Sequence, residues 1–167
     1  MKVAKRFRWE AAHRLPWHDG ECKYLHGHSY RMMVEVEGTP DERGMLIDFK
    51  HLKKVLKPLV EKWDHATLVA DYDSDLKEAA EALDSKYFVL PYDSTAENLA
   101  TFVADYLGQE AYEVLEEKSV TALRVKVWET ETCYADIQRP LSAYAPDEEG
   151  AGAEEVAQEP ALQAADR

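Results

Sequence analysis

Two cysteines, Cys22 and Cys133, are all that the chain contains, too few for a disulfide framework, and a reducing compartment would keep both as thiols. No apolar run approaches the roughly 18 residues that a membrane span needs, and the opening Met1-Lys2-Val3-Ala4-Lys5-Arg6 lacks the apolar stretch of a secretory signal. The expectation is a cytoplasmic protein with no membrane partner. Positive charge is also scarce, with 20 Lys and Arg against 33 Asp and Glu and a net charge of −13. No basic stripe interleaves with aromatic residues, so no nucleic-acid partner is expected. The imbalance is uneven: residues 142–167 hold Asp147, Glu148, Glu149, Glu154, Glu155, Glu159 and Asp166 against Arg167 alone, and no aromatic follows Tyr144. Such a segment cannot bury enough apolar surface to offset its ordering entropy, so it reads as an acidic, disordered tail.

What remains, residues 1–141, is long enough for one domain with a real core. Phe7, Trp9, Ala11 and His13 alternate with Arg6, Arg8 and Glu10, the period-two pattern of a half-buried strand. An irregular loop marked by Pro16, Asp19 and Gly20 carries Cys22. A second strand follows from His26 to Glu37, with Tyr30, Met32, Val34 and Val36 sharing the parity of His26 and His28. Leu52, Val55, Leu56, Leu59, Val60 and Trp63 recur at helical spacing after the N-cap candidate Asp48, with Pro58 as a local disturbance. Leu76 to Leu83 reads as a short helix and Tyr87 to Leu90 as an extended piece. Ser94-Thr95-Ala96-Glu97 fits a capping box and opens a helix for which Gly108 is a credible stop. Strands at 121–129 and 133–138 close the chain. Two strands, helices, then two strands describe an α+β domain, an antiparallel four-stranded sheet with helices on one face.

Chemistry concentrates at the ends of these elements. His13, His26 and His28 supply three imidazoles, a sufficient set for a catalytic zinc, which takes three protein ligands and keeps a fourth position for water or substrate. Cys22 then has two possible roles, a fourth ligand that closes the site or a reactive thiol beside an open one. Asp64-His65 ends the first helix, and Glu129 ends the apolar face of a strand.

Six segments, in order, resemble the 6-pyruvoyltetrahydropterin synthase and 6-carboxytetrahydropterin synthase family. They are Phe7-Arg8-Trp9-Glu10-Ala11-Ala12-His13-Arg14-Leu15, Cys22-Lys23-Tyr24-Leu25-His26-Gly27-His28-Ser29-Tyr30, Met45-Leu46-Ile47-Asp48-Phe49, Asp64-His65, Ser94-Thr95-Ala96-Glu97-Asn98 and Val125-Lys126-Val127-Trp128-Glu129-Thr130. The resemblance implies a tunnelling fold, with sheets joining across subunits into a barrel, a homohexamer built from two trimers and active sites between subunits. It implies Zn2+ held by His13, His26 and His28, Cys22 as a proton-transferring thiol, Asp64 with His65 as a second acid-base element, and Glu129 and Thr95 holding the pterin.

The spacing Cys-x-x-x-His-Gly-His is like that of the carboxy-forming members. The implied reaction converts 7,8-dihydroneopterin triphosphate into 6-carboxy-5,6,7,8-tetrahydropterin, acetaldehyde and triphosphate, on the route to queuosine. Formation of 6-pyruvoyltetrahydropterin, or a non-catalytic zinc or pterin module, is the alternative. Lys23 and Arg14 are the nearest basic candidates for the triphosphate. The segment from Ala70 to Tyr92 is longer than the family's usual link, and the asparagine often found soon after Asp-His is absent, with Val69 and Ala70 there instead.

Overall fold

A computed structural model describes residues 1–146; most of the acidic tail expected at 142–167 lies outside the described residues. Six strands form one sheet: β1 (Lys2–His13), β2 (His26–Gly38), β3 (Ala66–Ala70), β4 (Tyr87–Leu90), β5 (Val120–Trp128) and β6 (Tyr134–Pro140), in the order β4-β3-β1-β2-β5-β6. The expected antiparallel four, β1, β2, β5 and β6, are present. Two further strands correct that description, because β3 runs parallel to β1 and β4 parallel to β3. Ala66-Thr67-Leu68-Val69-Ala70 escapes an alternation test because four of its five residues are buried, as in parallel strands covered on both faces.

Three helices complete the domain: α1 (Phe49–Trp63), α2 (Ser74–Ala82) and α3 (Ala96–Glu117). Asp48 and Thr95 cap α1 and α3, accepting from the N–H groups of Lys50 and Asn98. The chain passes through Gly108 without ending α3. The glycine serves a close approach instead: a Cβ there would overlap the ring of Tyr144, whose hydroxyl pairs with Asp105 at 2.9 Å. Packed structure therefore runs through Tyr144, past the expected boundary at 141. Among the described residues no helix is long and apolar enough to cross a membrane.

The core lies between one sheet face and the helices α1 and α3. Trp9 and Tyr30, directly paired across β1 and β2, stack at 5.1 Å with rings 5° from parallel, and Trp63 of α1 closes on Trp9 at 5.4 Å. All three are fully buried, and each such ring pair adds about 0.5–1.5 kcal/mol beyond its buried area. This aromatic block sits four residues from His13 along β1 and two from His28 along β2, so it anchors the strand ends that carry the histidines.

Candidate metal centre and active site

Strand pairing assembles the histidines. His13, the last residue of β1, stands opposite His26, the first of β2, and His28 lies opposite Ala11. Alternation turns all three rings toward the helix-covered face, with centroids 4.6, 5.2 and 4.8 Å apart. One ligand atom from each lies within 4.8 Å of the others, an arrangement that could hold a metal ion.

Which nitrogen faces the centre follows from the partners of the other. His13 Nδ1 lies 3.1 Å from both the carbonyl and the hydroxyl oxygen of Ser94, so its N–H donates there and Nε2 carries the lone pair. His26 Nδ1 lies 2.7 Å from the Tyr24 carbonyl, which sets the same tautomer. A second partner that fixes the ring and its tautomer is the usual companion of a metal-binding histidine. The Nε2 atoms of His13 and His28 are buried with no hydrogen-bond partner. A buried acceptor left unpaired costs about 1–3 kcal/mol, and a bound cation would remove that cost. Burial first, then the neighbouring His26 and His28, pushes the His13 pKa down to about 4. Burial also lowers that of His28, with His26 adding and Glu129 opposing. Both rings are therefore neutral near pH 7, the form that binds a metal.

Cys22 sits in a short 3-10 turn, Glu21–Lys23, half-buried. Its carbonyl accepts from the Leu15 N–H at 2.8 Å, which fastens the loop two residues beyond His13. Among the described residues the group able to hold a metal is His13, His26 and His28, and Cys22 is not in it.

Glu129 does reach the cluster. Its Oε1 lies 3.4 Å from His13 Nε2 and 3.9 Å from His28 Nε2, and its backbone N–H donates to the Cys133 carbonyl at 3.3 Å across the β5–β6 turn. Beside it the Tyr30 hydroxyl is buried, and burial, then Glu129, raises its pKa. Thr95 is spent on capping α3, its Oγ1 accepting from Asn98 N–H at 3.2 Å, but the hydroxyl proton stays available to donate.

Asp64 and His65 form a pair of their own, His65 Nδ1 lying 3.1 Å from Asp64 Oδ2. They grip β1 through Glu10, whose N–H donates to Asp64 Oδ1 at 2.9 Å and whose carbonyl accepts from His65 N–H at 2.6 Å. The Glu10 N–H, and after it the His65 ring, hold the Asp64 carboxyl below the usual range. His65 adopts φ +58°, rare for a residue with a side chain, which lets α1 turn directly into β3. Its ring is exposed, 76%. Among the described residues no hydrogen bond or ion pair joins Cys22, Asp64 or His65 to the three histidines.

Arg14 is not free for a triphosphate. Its guanidinium grips Asp73, the N-cap of α2, at 2.8 and 2.5 Å. The long 70–92 segment is thereby tied to the residue after His13, and Tyr72 and Asn98 secure Asp93 next to Ser94. Lys23, with its Nζ 5.1 Å from the Tyr24 ring centre, remains available. Ser94, Tyr24 and Tyr30 are the contributors that the sequence reading missed. Ser94 opens the capping-box segment and Tyr30 shares the histidines' parity, but a carbonyl acceptor leaves no mark in residue type.

These features define a class: a single-sheet α+β protein with a three-histidine centre where two strands meet. Residues 2–140 match the 6-pyruvoyl tetrahydropterin synthase family. The chain belongs to that family. It is 33% identical over 146 residues to a 6-carboxy-5,6,7,8-tetrahydropterin synthase of Haemophilus influenzae, covering 83% of this chain and 99% of that one. It is 34% identical over 156 residues to the protein of that name from Aquifex aeolicus, covering 81% and 96%. Among solved structures, the 6-pyruvoyl tetrahydropterin synthase of Plasmodium falciparum shares the fold with a TM-score of 0.69 at 20% identity, over 84% of this chain and 98% of that chain. That of Caenorhabditis elegans superposes with a TM-score of 0.58 at 23% identity, over 83% and 95%. The fold is therefore the tunnelling fold.

Proposed function

We propose that the protein is a zinc-dependent 6-carboxy-5,6,7,8-tetrahydropterin synthase, converting 7,8-dihydroneopterin triphosphate into 6-carboxytetrahydropterin, acetaldehyde and triphosphate on the cytoplasmic route to queuosine. The observation that carries the metal part of this reading is the convergence of three imidazoles, two with Nε2 buried and unpartnered. Three nitrogens and an open position suit zinc. When bound, zinc would supply Lewis-acid polarisation of substrate oxygens.

The remaining work falls to side chains. The Glu129 carboxylate accepts two parallel hydrogen bonds from the amino group and ring N–H of the pterin, and Thr95 donates to the ring. Cys22 moves a proton at the substrate side chain. His65, with Nδ1–H committed to Asp64, keeps Nε2 for the second proton transfer. From the family resemblance, the reading puts the finished site between subunits of a hexamer, where Cys22 and the exposed His65 would join the histidines. The short cysteine-to-histidine spacing and the names of the relatives favour the carboxy-forming reaction.

The role of the thiol separates an enzyme from a zinc module. Cys22→Ala is expected to retain zinc while turnover of 7,8-dihydroneopterin triphosphate falls by about 10²-fold or more. Loss of zinc with the thiol would make Cys22 a ligand and contradict the reading.

A further inference from the structure

The exposed side of α1 is out of character with the rest of the molecule. In a chain of net charge −13, Lys50, Lys53, Lys54 and Lys57 are all exposed and fall at i, i+3, i+4 and i+7, one face of the helix. They line, with Pro58 and Glu61, a depression of about 350 Å³. Like charges three and four residues apart disfavour a helix unless counter-charge lies over them. The described residues supply little: Lys57 pairs with Glu61 and Lys50 lies 3.8 Å from Asp48, while among the described residues Lys53 and Lys54 have no carboxylate partner. Next to this face, sharing Lys54 and Pro58, a hollow of about 310 Å³ runs between α1 and α3 over Val55, Tyr106, Ala111 and Val114.

We propose that the occupant of this face is the chain's own acidic segment, residues 147–167, with Glu154, Glu155 and Glu159 over the lysines and Val156 or Leu162 in the adjoining hollow. Charge is complementary: the segment holds seven carboxylates against Arg167 alone. Its starting point is also favourable. Tyr144 is fastened to α3 at Gly108 and Asp105, on the flank of α3 away from α1. Crossing the outside of a helix about 10–12 Å wide takes on the order of six extended residues. A crossing of that length from Tyr144 would be complete before Glu154, so Glu154, Glu155 and Glu159 lie far enough along the chain to reach α1. The exposed side of α3 offers no competing site, since Glu113, Glu116 and Glu117 lie along it and repel the segment, while Glu110 borders the hollow itself.

Carbodiimide cross-linking of the full chain, which joins only carboxylates and amines in direct contact, tests this. At low salt, Glu154, Glu155 and Glu159 should link to Lys50, Lys53, Lys54 and Lys57 about tenfold more often than to Lys2, Lys5, Lys77 and Lys118. The links should fall several-fold in about 0.5 M salt, where screening is nearly complete beyond ~4 Å. In the Lys53→Glu, Lys54→Glu double variant, links to the remaining Lys50 and Lys57 should fall likewise. An even spread over all lysines, no links, or links unchanged by salt or by the double variant would overturn the proposal. So would links predominantly between isotopically distinct chains in protein assembled from equal labelled and unlabelled subunits.

Discussion

A histidine gives a metal only the nitrogen that its other hydrogen bond leaves free, and here Ser94 and the Tyr24 carbonyl decide that choice for His13 and His26. His26 is half-buried rather than core, so His26→Ala should keep the fold while weakening zinc binding by at least about tenfold. Plasma emission analysis after dialysis against a weak chelator, with circular dichroism as the fold control, reads this directly, and full zinc occupancy would remove the ligand set. Glu129 raises a sharper question, because its carboxylate lies near two Nε2 atoms and is also the proposed pterin anchor. Glu129→Gln retains the shape but replaces one acceptor oxygen by a donor. If Glu129 anchors substrate, KM should rise about tenfold or more while zinc stays bound; loss of zinc with unchanged KM would make it a ligand instead.

At the scale of elements, the four long strands and the two long helices are legible because each carries a period over many residues: Trp9, Ala11 and His13 on β1, Leu52, Leu56 and Leu59 on α1. β3 and the length of α3 are not, since five mostly buried residues show no alternation and Gly108 signals a stop by type while serving a close contact with Tyr144. The three histidines that could hold a metal ion are legible as spacing, but the clamp between Arg14 and Asp73 is not, because it joins residues far apart in sequence on no shared pattern. That clamp makes a pH prediction. Arg14 N–H groups hold the Asp73 carboxyl below its ordinary value, so the pair stabilises fully above the unfolded Asp pKa of about 3.9 and loses that contribution as pH falls through the lower folded value. Asp73→Asn should cost about 1–3 kcal/mol at pH 7 and less than that at the acid end. Thermal melts from pH 7 down to about 3 would show the gap to wild type closing; a gap constant with pH would refute the clamp's ionic role.

For the whole molecule, the sheet that carries the candidate site is complete in one chain, whereas the proposed chemistry draws on more than one. His13, His26, His28 and Glu129 converge, while the Asp64-His65 pair is bonded to itself and to Glu10, so the proposed hexamer would matter to function and not only to stability. The net charge of −13 adds a second whole-molecule constraint: the proposed triphosphate substrate would have to be drawn in by local positive charge against a repulsive field, with Lys23 available and Arg14 already engaged. Identity of the reaction rests on the products. Zinc-loaded protein incubated with 7,8-dihydroneopterin triphosphate should release acetaldehyde in step with 6-carboxytetrahydropterin, both followed by mass spectrometry in one time course. Appearance of 6-pyruvoyltetrahydropterin without acetaldehyde, or no turnover by protein with full zinc, would contradict the account.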